Sequence, residues 1–286
     1  MNAIPSVADR AAPAAGRLDW PTLLRGGRTL VMGILNVTPD SFSDGGQFLD
    51  PRRAIAHATR MVAQGADLID IGAESTRPYG GQVPVSAEEE IARLAPVLPA
   101  VAALGRPLSI DTMKAEVAAW AIAHGAAIVN DVWGLQRDPA MAAVIAEHAV
   151  PAVLMHNRES ADASIDIMAD IERFFDETLT IAARAGIART KIALDPGIGF
   201  GKTPEQSITV LRRLGELRRY GLPLLVGASR KRFIATLAPS EPDGRLGGSI
   251  ASHLLAARDG AAIVRAHDVA ETVQALRVAE AIGAGR

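Results

Sequence analysis

Cysteine is missing from all 286 residues, which excludes disulfide staples, thiolate metal centres and a cysteine nucleophile. The absence suits a reducing compartment, and a cytoplasmic protein is expected. No apolar run reaches the ~18 residues that a membrane helix needs. Residues 1–16, which carry Asp9 and Arg10, lack the apolar core of a signal peptide. Neither sign of charge dominates: 30 basic and 32 acidic residues are well mixed, with a net charge of -2. No whole-molecule field therefore draws in nucleic acid or an anionic membrane. His-x-His, His-Glu-x-x-His and clustered cysteines are also missing, which argues against a tightly held transition metal. No linker rich in Pro, Gly and Ser divides the chain, so one folded domain over residues 17–286 is expected after a flexible N-terminal tail at residues 1–16.

What is present is a repeat. Hydrophobic residues make up 49% of the chain, with 26 Gly and 17 Pro, a balance that suits strands buried on both faces. Strand-like runs stand at Val31–Leu35, Leu68–Gly72, Leu108–Asp111, Ala127–Asn130, Ala152–Met155, Ile192–Asp195, Leu224–Gly227 and Ala262–Arg265. Helical periodicity fills the intervals at Arg52–Gln64, Ser86–Ala103, Lys114–Ala123, Pro139–His148, Ile171–Ala185, Pro204–Arg219, Ser249–Arg258 and Val269–Ile282. Gly65, Gly105, Gly125, Gly186, Gly221 and Gly260 each stand shortly before a strand, where a helix is capped at its C-terminus. Strands alternating with helices in this number predict an α/β fold, a single (β/α)8 TIM barrel with parallel strands. A doubly wound open sheet is the alternative. The polar stretch Arg158–Asp166 reads as an insertion in the barrel.

The first strand breaks abruptly into Met32-Gly-Ile-Leu-Asn-Val-Thr-Pro-Asp-Ser-Phe-Ser-Asp-Gly-Gly46. This loop is longer, and richer in hydroxyls and carboxylates, than chain reversal requires. Barrel ligands sit at the C-terminal ends of the strands. Those ends carry Asn36, Glu74 to Arg77, Asp111, Asn130 with Asp131, His156, Asp195, Lys231, and Arg265 with His267. Any one of them is an ordinary turn or capping residue; polar residues at every end are harder to assign to turns. Arg77, Lys231, Arg265 and His267 are anion binders, and cations near the last strands suit a phosphate or pyrophosphate. Asn36 and Asn130 are carboxamides; the carboxylates and amides among strands three to six, Asp111, Asn130 and Asp195, suit a flat heterocycle bearing N–H donors and ring acceptors. Asp195-Pro-Gly-Ile-Gly-Phe-Gly-Lys-Thr203 is not a phosphate loop, because Pro196 stands where glycine is required. Its glycines either let backbone approach a bound ring, with Phe200 as an apolar wall, or form a structural turn. Among the 6 histidines, His57, His124, His148 and His253 fall within helical patterns as surface or packing residues, while His156 and His267 stand at strand ends.

Taken in order, the motifs resemble those of the dihydropteroate synthases, pterin-binding barrel enzymes of folate biosynthesis and the targets of sulfonamides. The resemblance rests on Met32 to Gly46, Glu74-Ser-Thr-Arg-Pro78, Ile110-Asp-Thr112, Asn130-Asp131, Met155-His156, Asp195 to Lys202, Ser229-Arg-Lys231 and Arg265-Ala-His-Asp268. It implies condensation of 6-hydroxymethyl-7,8-dihydropterin diphosphate with p-aminobenzoate, by loss of pyrophosphate followed by amine attack. Asp111, Lys231, Arg265 and His267 would be catalytic. Asp111, Asn130, Asp195 and Lys231 would hydrogen-bond the pterin, with Met155, Phe200 and Gly227 lining its slot. Asn36 would hold Mg2+ on the pyrophosphate, helped by Arg265 and His267, and Thr76 would contact the same substrate. Arg77, Pro78 and Ser229 would shape the p-aminobenzoate pocket. The resemblance also implies sulfonamide binding and a homodimer. The apolar later-helix residues Ile250, Leu254 and Leu255 offer either a pairing face or a buried helix face.

Three departures from the family pattern stand out. Tyr79 follows Arg77-Pro78 where the family usually has glycine, Met113 follows Asp111-Thr112 where a small Ser is frequent, and Asn157-Arg-Glu-Ser-Ala161 replaces a stretch that often contains Met, Gly and Pro. None removes a proposed ligand group. Two other readings are a pterin-dependent methyltransferase, which has no use for a pyrophosphate clamp, and a silent pterin-binding homologue, in which loss of Asn36, Asp40 or Thr76 would be expected.

Overall fold

A computed structural model describes residues 18–38, 50–74 and 85–283; the expected tail and Asp40, Thr76, Arg77, Pro78 and Tyr79 lie outside the described residues. Parallel strands close in sequence order into an eight-stranded barrel. They are β1 (Leu30–Asn36), β2 (Leu68–Gly72), β3 (Leu108–Asp111), β4 (Ile128–Asp131), β5 (Ala152–Met155), β6 (Ile192–Asp195), β7 (Leu224–Val226) and β8 (Ala261–Ala266). Register runs through Met32 with Leu68, Asp70 with Ser109, Asp111 with Asn130 and Leu154 with Leu194. The ring closes where Leu30 of β1 pairs with Ile263 of β8, which excludes the open sheet.

The helices are α1 (Trp20–Leu23), α2 (Pro51–Ala63), α3 (Ala87–Leu94), α4 (Leu98–Ala102), α5 (Ala115–Ala123), α6 (Met141–His148), α7 (Ile167–Arg184), α8 (Pro204–Arg212), α9 (Arg232–Leu237), α10 (Leu246–Arg258) and α11 (Val269–Gly283). Several starts are set by side-chain caps: Asp50, Ser86, Asp166 and Thr203 each accept first-turn N–H groups, and Thr203 with Gln206 completes a capping box. Local chemistry also explains where the observed helices depart from the expected ones. The helix expected over Ser86–Ala103 divides into α3 and α4, because Pro96 and Pro99 cannot donate within a continuous helix and Pro99 instead enters the first turn of α4. The helix expected from Ile171 begins at Ile167, since Asp166 caps Met168 and Ala169. Beyond α8 the chain tightens into a 3-10 segment, Leu214–Tyr220, that ends on Gly221 in the left-handed region at φ 62°.

Two apolar cores result. One fills the space between the outer strand faces and the helices. The other lies inside the barrel and comprises Leu18, Trp20, Leu30, Met32, Leu68, Ile128, Val153, Ala193, Leu225 and Ile263. Trp20 is fully buried at the N-terminal end of the barrel, its indole N–H shared between the carbonyls of Lys191 at 3.1 Å and Ala152 at 3.3 Å. That end is plugged, so the barrel interior is approached from the other. Among the described residues no helix is long and apolar enough to cross a membrane.

Candidate active site

Strand alternation decides which polar residues meet. Leu68, Ile128, Val153, Ala193, Leu225 and Ile263 face the barrel interior, and a strand presents the same face every second residue. Two positions further along each chain segment stand Asp70, Asn130, Met155, Asp195, Gly227 and Arg265. Asn36 follows Met32 and Ile34 on the same face of β1, and Asp111 pairs in register with Asn130. A layer rich in polar groups thus rests on the apolar plug and faces the C-terminal mouth.

Arg265 organises this layer. Its Nε donates to Asp70 Oδ2 at 2.6 Å and its Nη2 to Asp111 Oδ2 at 2.8 Å. Asp70 Oδ2 also accepts from Asn130 Nδ2 at 3.1 Å. Oδ1 of Asp111 and Oδ1 of Asn130 are buried acceptors with no partner among the described residues, the kind of atom that pairs with a ring carrying N–H donors. Burial pushes Asp111 up to about 7, with Arg265 opposing and the Asp70 carboxylate reinforcing the rise. Burial likewise pushes Asp195 up to about 6, against the N–H of Gly197 that donates to it at 2.7 Å and the nearby Lys231 and Lys202.

The wall beside Asp195 comes from the loop that follows β6. Phe200 is half-buried, and the Lys231 ammonium sits 3.9 Å from the centroid of its ring, a cation–π contact that brings an expected pterin donor and an expected slot wall together. Met155 is buried, and Gly227 leaves backbone beside Arg265, where an added Cβ would lie 3.8 Å from that of Arg265.

Ser229, Arg230 and Lys231 form a turn in which Arg230 takes a left-handed φ of 58°, a conformation that costs a non-glycine residue about 1 kcal/mol or more. Surrounding bonds hold it there. Arg230 Nε and Nη2 grip Asp268 at 3.1 and 2.6 Å, Nη1 reaches Asp243 at 2.5 Å, and the backbone N–H donates to Ser249 at 2.9 Å. The turn sets Ser229 against His267: Ser229 Oγ accepts the His267 backbone N–H at 3.2 Å and lies 3.0 Å from Nδ1. With the serine hydroxyl donating to Nδ1, the ring proton resides on Nε2. Burial and the Arg265 guanidinium hold His267 down to about 3. The expected cationic anion binder is therefore a neutral N–H donor, and the Ser229 hydroxyl expected in the p-aminobenzoate pocket is engaged with it.

Asn36, half-buried, ends β1 in register with Gly72. Among the described residues no three His, Cys, Asp or Glu side chains gather around a possible ion. Asp131 and His156 stand at strand ends but do other work. Asp131 accepts the N–H groups of Trp133 at 2.9 Å and Leu135 at 2.6 Å and shapes its own loop, while His156 bonds Lys202 and Asp170.

Asp70 escapes the sequence reading, as do the partners of Glu74 and Arg230, although both residues stand in its motifs. Asp70 is one carboxylate in an apolar strand, and the signal for it is that a buried acid demands partners. Glu74 is tied into a buried cluster: Lys114 Nζ reaches Glu74 at 2.5 Å and Glu90 at 2.8 Å, and Glu74 Oε1 accepts the Val85 N–H at 3.3 Å. Burial raises Glu90, a fully buried acid that a helical pattern alone assigns to the surface. Arg230 gains its role only from its left-handed turn and its distant partner Asp268.

The closed barrel carries acid, amide and guanidinium groups around its mouth, and residues 32–267 match the sequence model of the family described as pterin binding enzyme, which makes the chain a pterin-binding enzyme. The dihydropteroate synthase of Bacillus subtilis is 45% identical over 256 residues, which cover 89% of this chain and 89% of that one. A crystal structure of the Clostridium difficile dihydropteroate synthase in the presence of pteroic acid superposes with a TM-score of 0.85 at 48% identity, over 94% of this chain and 98% of that one. The Yersinia pestis dihydropteroate synthase with a sulfonamide drug complex gives a TM-score of 0.83 at 44% identity, over 90% and 95% of the two chains. The chain belongs to the dihydropteroate synthases, transferases of folate biosynthesis that condense 6-hydroxymethyl-7,8-dihydropterin diphosphate with p-aminobenzoate to 7,8-dihydropteroate and pyrophosphate.

Proposed function

We propose that the inward layer of Asp111, Asn130, Asp195 and Arg265, with Lys231 beside it, is where this chain holds the pterin and carries out the condensation. The observation that carries the reading is the convergence of these groups from β3, β4, β6, β8 and the loop after β7, above a plugged barrel floor. Asp111 and Asp195 accept the N–H groups of the ring, Asn130 serves as donor and acceptor, and Lys231 donates to a ring acceptor. Met155 and Phe200 cover its faces, and Gly227 leaves space at its edge.

When the C–O bond to pyrophosphate breaks, the bond pair leaves with the phosphate oxygen and a cation stabilised by the pterin remains at the exocyclic methylene. Arg265 meets the charge growing on the leaving group, and His267 adds an uncharged N–H bond from Nε2. The carboxylate of Asp111 stabilises the cation. The neutral amine of p-aminobenzoate then attacks and loses a proton, so no side-chain nucleophile is required. Magnesium enters with the diphosphate as part of the substrate: phosphate oxygens and water supply most ligands of such an ion, and Asn36 offers a carbonyl oxygen at the mouth. Thr76 would contact the diphosphate, and Arg77 and Pro78 with Ser229 would border the p-aminobenzoate place, where sulfonamides of similar shape compete. A homodimer is proposed through the later helices. There Leu255 is 50% exposed on α10 and Ile282 70% exposed on α11, whereas Ile250 and Leu254 are half-buried.

Calorimetric titration of the pterin diphosphate into the wild type and into Asp195→Ala and Lys231→Ala variants tests the placement. Affinity is expected to fall about tenfold or more in each variant. Wild-type affinity in both would remove the pterin from this layer.

A further inference from the structure

A second charged chain is buried next to the pterin slot and takes no part in the condensation as described. His156, fully buried after β5, lies with Nδ1 2.7 Å from Lys202 Nζ and Nε2 3.2 Å from Asp170 Oδ2. Lys202, only 4% exposed, also donates to the carbonyl of Phe200 at 3.0 Å. Asp170, in the first turn of α7, is held by Arg158 at 2.7 Å and by Arg173.

With Lys202 charged, an ammonium that has only donors, Nδ1 of His156 accepts, the ring proton sits on Nε2, and Nε2 donates to Asp170. Burial and the neighbouring Lys202 hold His156 down to about 4, so the imidazole is neutral. The bonds from His156 and Arg158 hold Asp170 well below the usual carboxylate range. Burial lowers Lys202 to about 7, with Asp195 and Asp170 supporting its charge and Lys231 and Arg158 opposing it. A cavity of about 340 Å³ lined in part by Trp133, Arg158, Asp170 and Phe174 adjoins the carboxylate end.

In the loop between Asp195 and Lys202 the Gly197 N–H donates to Asp195 Oδ1 at 2.7 Å, the Gly199 N–H to Ser207 Oγ at 3.2 Å and the Phe200 N–H to the Gly197 carbonyl at 3.1 Å, while Lys202 Nζ donates to the Phe200 carbonyl. Gly197, Gly199 and Gly201 all take positive φ, at 68°, 79° and 52°, and the loop lies so close to the preceding one that Cβ atoms at Gly197 and Gly201 would overlap the His156 carbonyl and Arg158. We infer that Lys202, oriented by His156 and Asp170, is a positioning residue for the pterin slot: by gripping the Phe200 carbonyl it sets the Phe200 ring against Lys231 and fixes the loop that leads from Asp195. The inference rests on the pterin placement proposed above. His156 and Lys202 stand in motifs whose Met155, Asp195 and Phe200 this placement uses, and are themselves left without a role by it.

The test is steady-state kinetics of Lys202→Met and Asp170→Asn, with Asp195→Ala as the control for the slot. Lys202→Met, which keeps the length of the side chain but cannot grip the carbonyl, is expected to raise KM for the pterin diphosphate about tenfold while KM for p-aminobenzoate changes by less than about twofold. Asp170→Asn is expected to shift the same constant in the same direction. Unchanged pterin KM in folded Lys202→Met, or an equal rise in both KM values, overturns the inference. If Asp195→Ala is also without effect, the slot itself is misplaced; if only Asp195→Ala has an effect, the slot stands and the role of Lys202 falls. On the wild-type protein, 15N NMR of His156 is expected to show a neutral ring protonated on Nε2. An Nδ1–H tautomer or an imidazolium contradicts the chain without recourse to any variant.

Discussion

Arg265 is a half-buried cation with two carboxylate partners, and that arrangement sets what single substitutions do. Asp70 serves both the Arg265 Nε and the Asn130 amide through one oxygen. Asp70→Asn removes the counter-charge and leaves the half-buried guanidinium beside a single acid, which should cost about 2 kcal/mol of stability in urea unfolding, together with a loss of kcat/KM for the pterin substrate. Full stability with full activity would show that Arg265 does not depend on Asp70. The acids also predict a pH profile. Asp111 and Asp195 act as carboxylates and are raised by burial to about 7 and about 6, so protonation as the pH falls through that range should depress kcat/KM for the pterin diphosphate. Arg265 lowers Asp111, so Arg265→Met should move the acid limb to higher pH; a limb that stays in place would separate it from Asp111. Asp111, Asn130, Asp195 and Arg265 are legible in the sequence because each ends or nearly ends a run recognisable as a strand. Asp70 is not, because its partners lie 60 and 195 residues away. The neutrality of His267 is equally hidden, since it depends on a guanidinium brought alongside by folding.

Among the elements, alternation does most to connect sequence with site: apolar side chains two positions below the polar layer fill the barrel and fix the direction of what lies above. The strands are read closely from their apolar runs, while helix ends depend on caps and prolines that periodicity does not register, as the division between α3 and α4 illustrates. The four-residue α1 escapes periodicity altogether, yet it delivers Trp20 to the barrel floor. Trp20→Ala should cost about 3–5 kcal/mol, measured by urea unfolding, and should leave kcat nearly unchanged at temperatures where the variant is folded, because the plug lies opposite the mouth. A large loss of kcat in a folded variant would mean that the floor also sets the geometry of the polar layer.

For the whole molecule, a near-balanced charge leaves recognition to local groups, and the described surface concentrates exposed large apolar side chains on the later helices: Leu237 on α9, Leu246 and Leu255 on α10, and Val278 and Ile282 on α11. A second copy of the chain covering this face predicts that Leu255→Glu with Ile282→Glu shifts the sedimentation coefficient from dimer to monomer; a wild type that sediments as a monomer at micromolar concentration contradicts the pairing. The central claim, that this barrel joins a dihydropterin to an arylamine at its polar layer, is tested most directly by following pyrophosphate and 7,8-dihydropteroate together, with magnesium and the dihydropterin diphosphate, in the presence and absence of p-aminobenzoate. Equal amounts of the two products, formed with p-aminobenzoate and abolished in Asp111→Ala, are the predicted result. Pterin binding without formation of dihydropteroate, or undiminished turnover in Asp111→Ala, would contradict it.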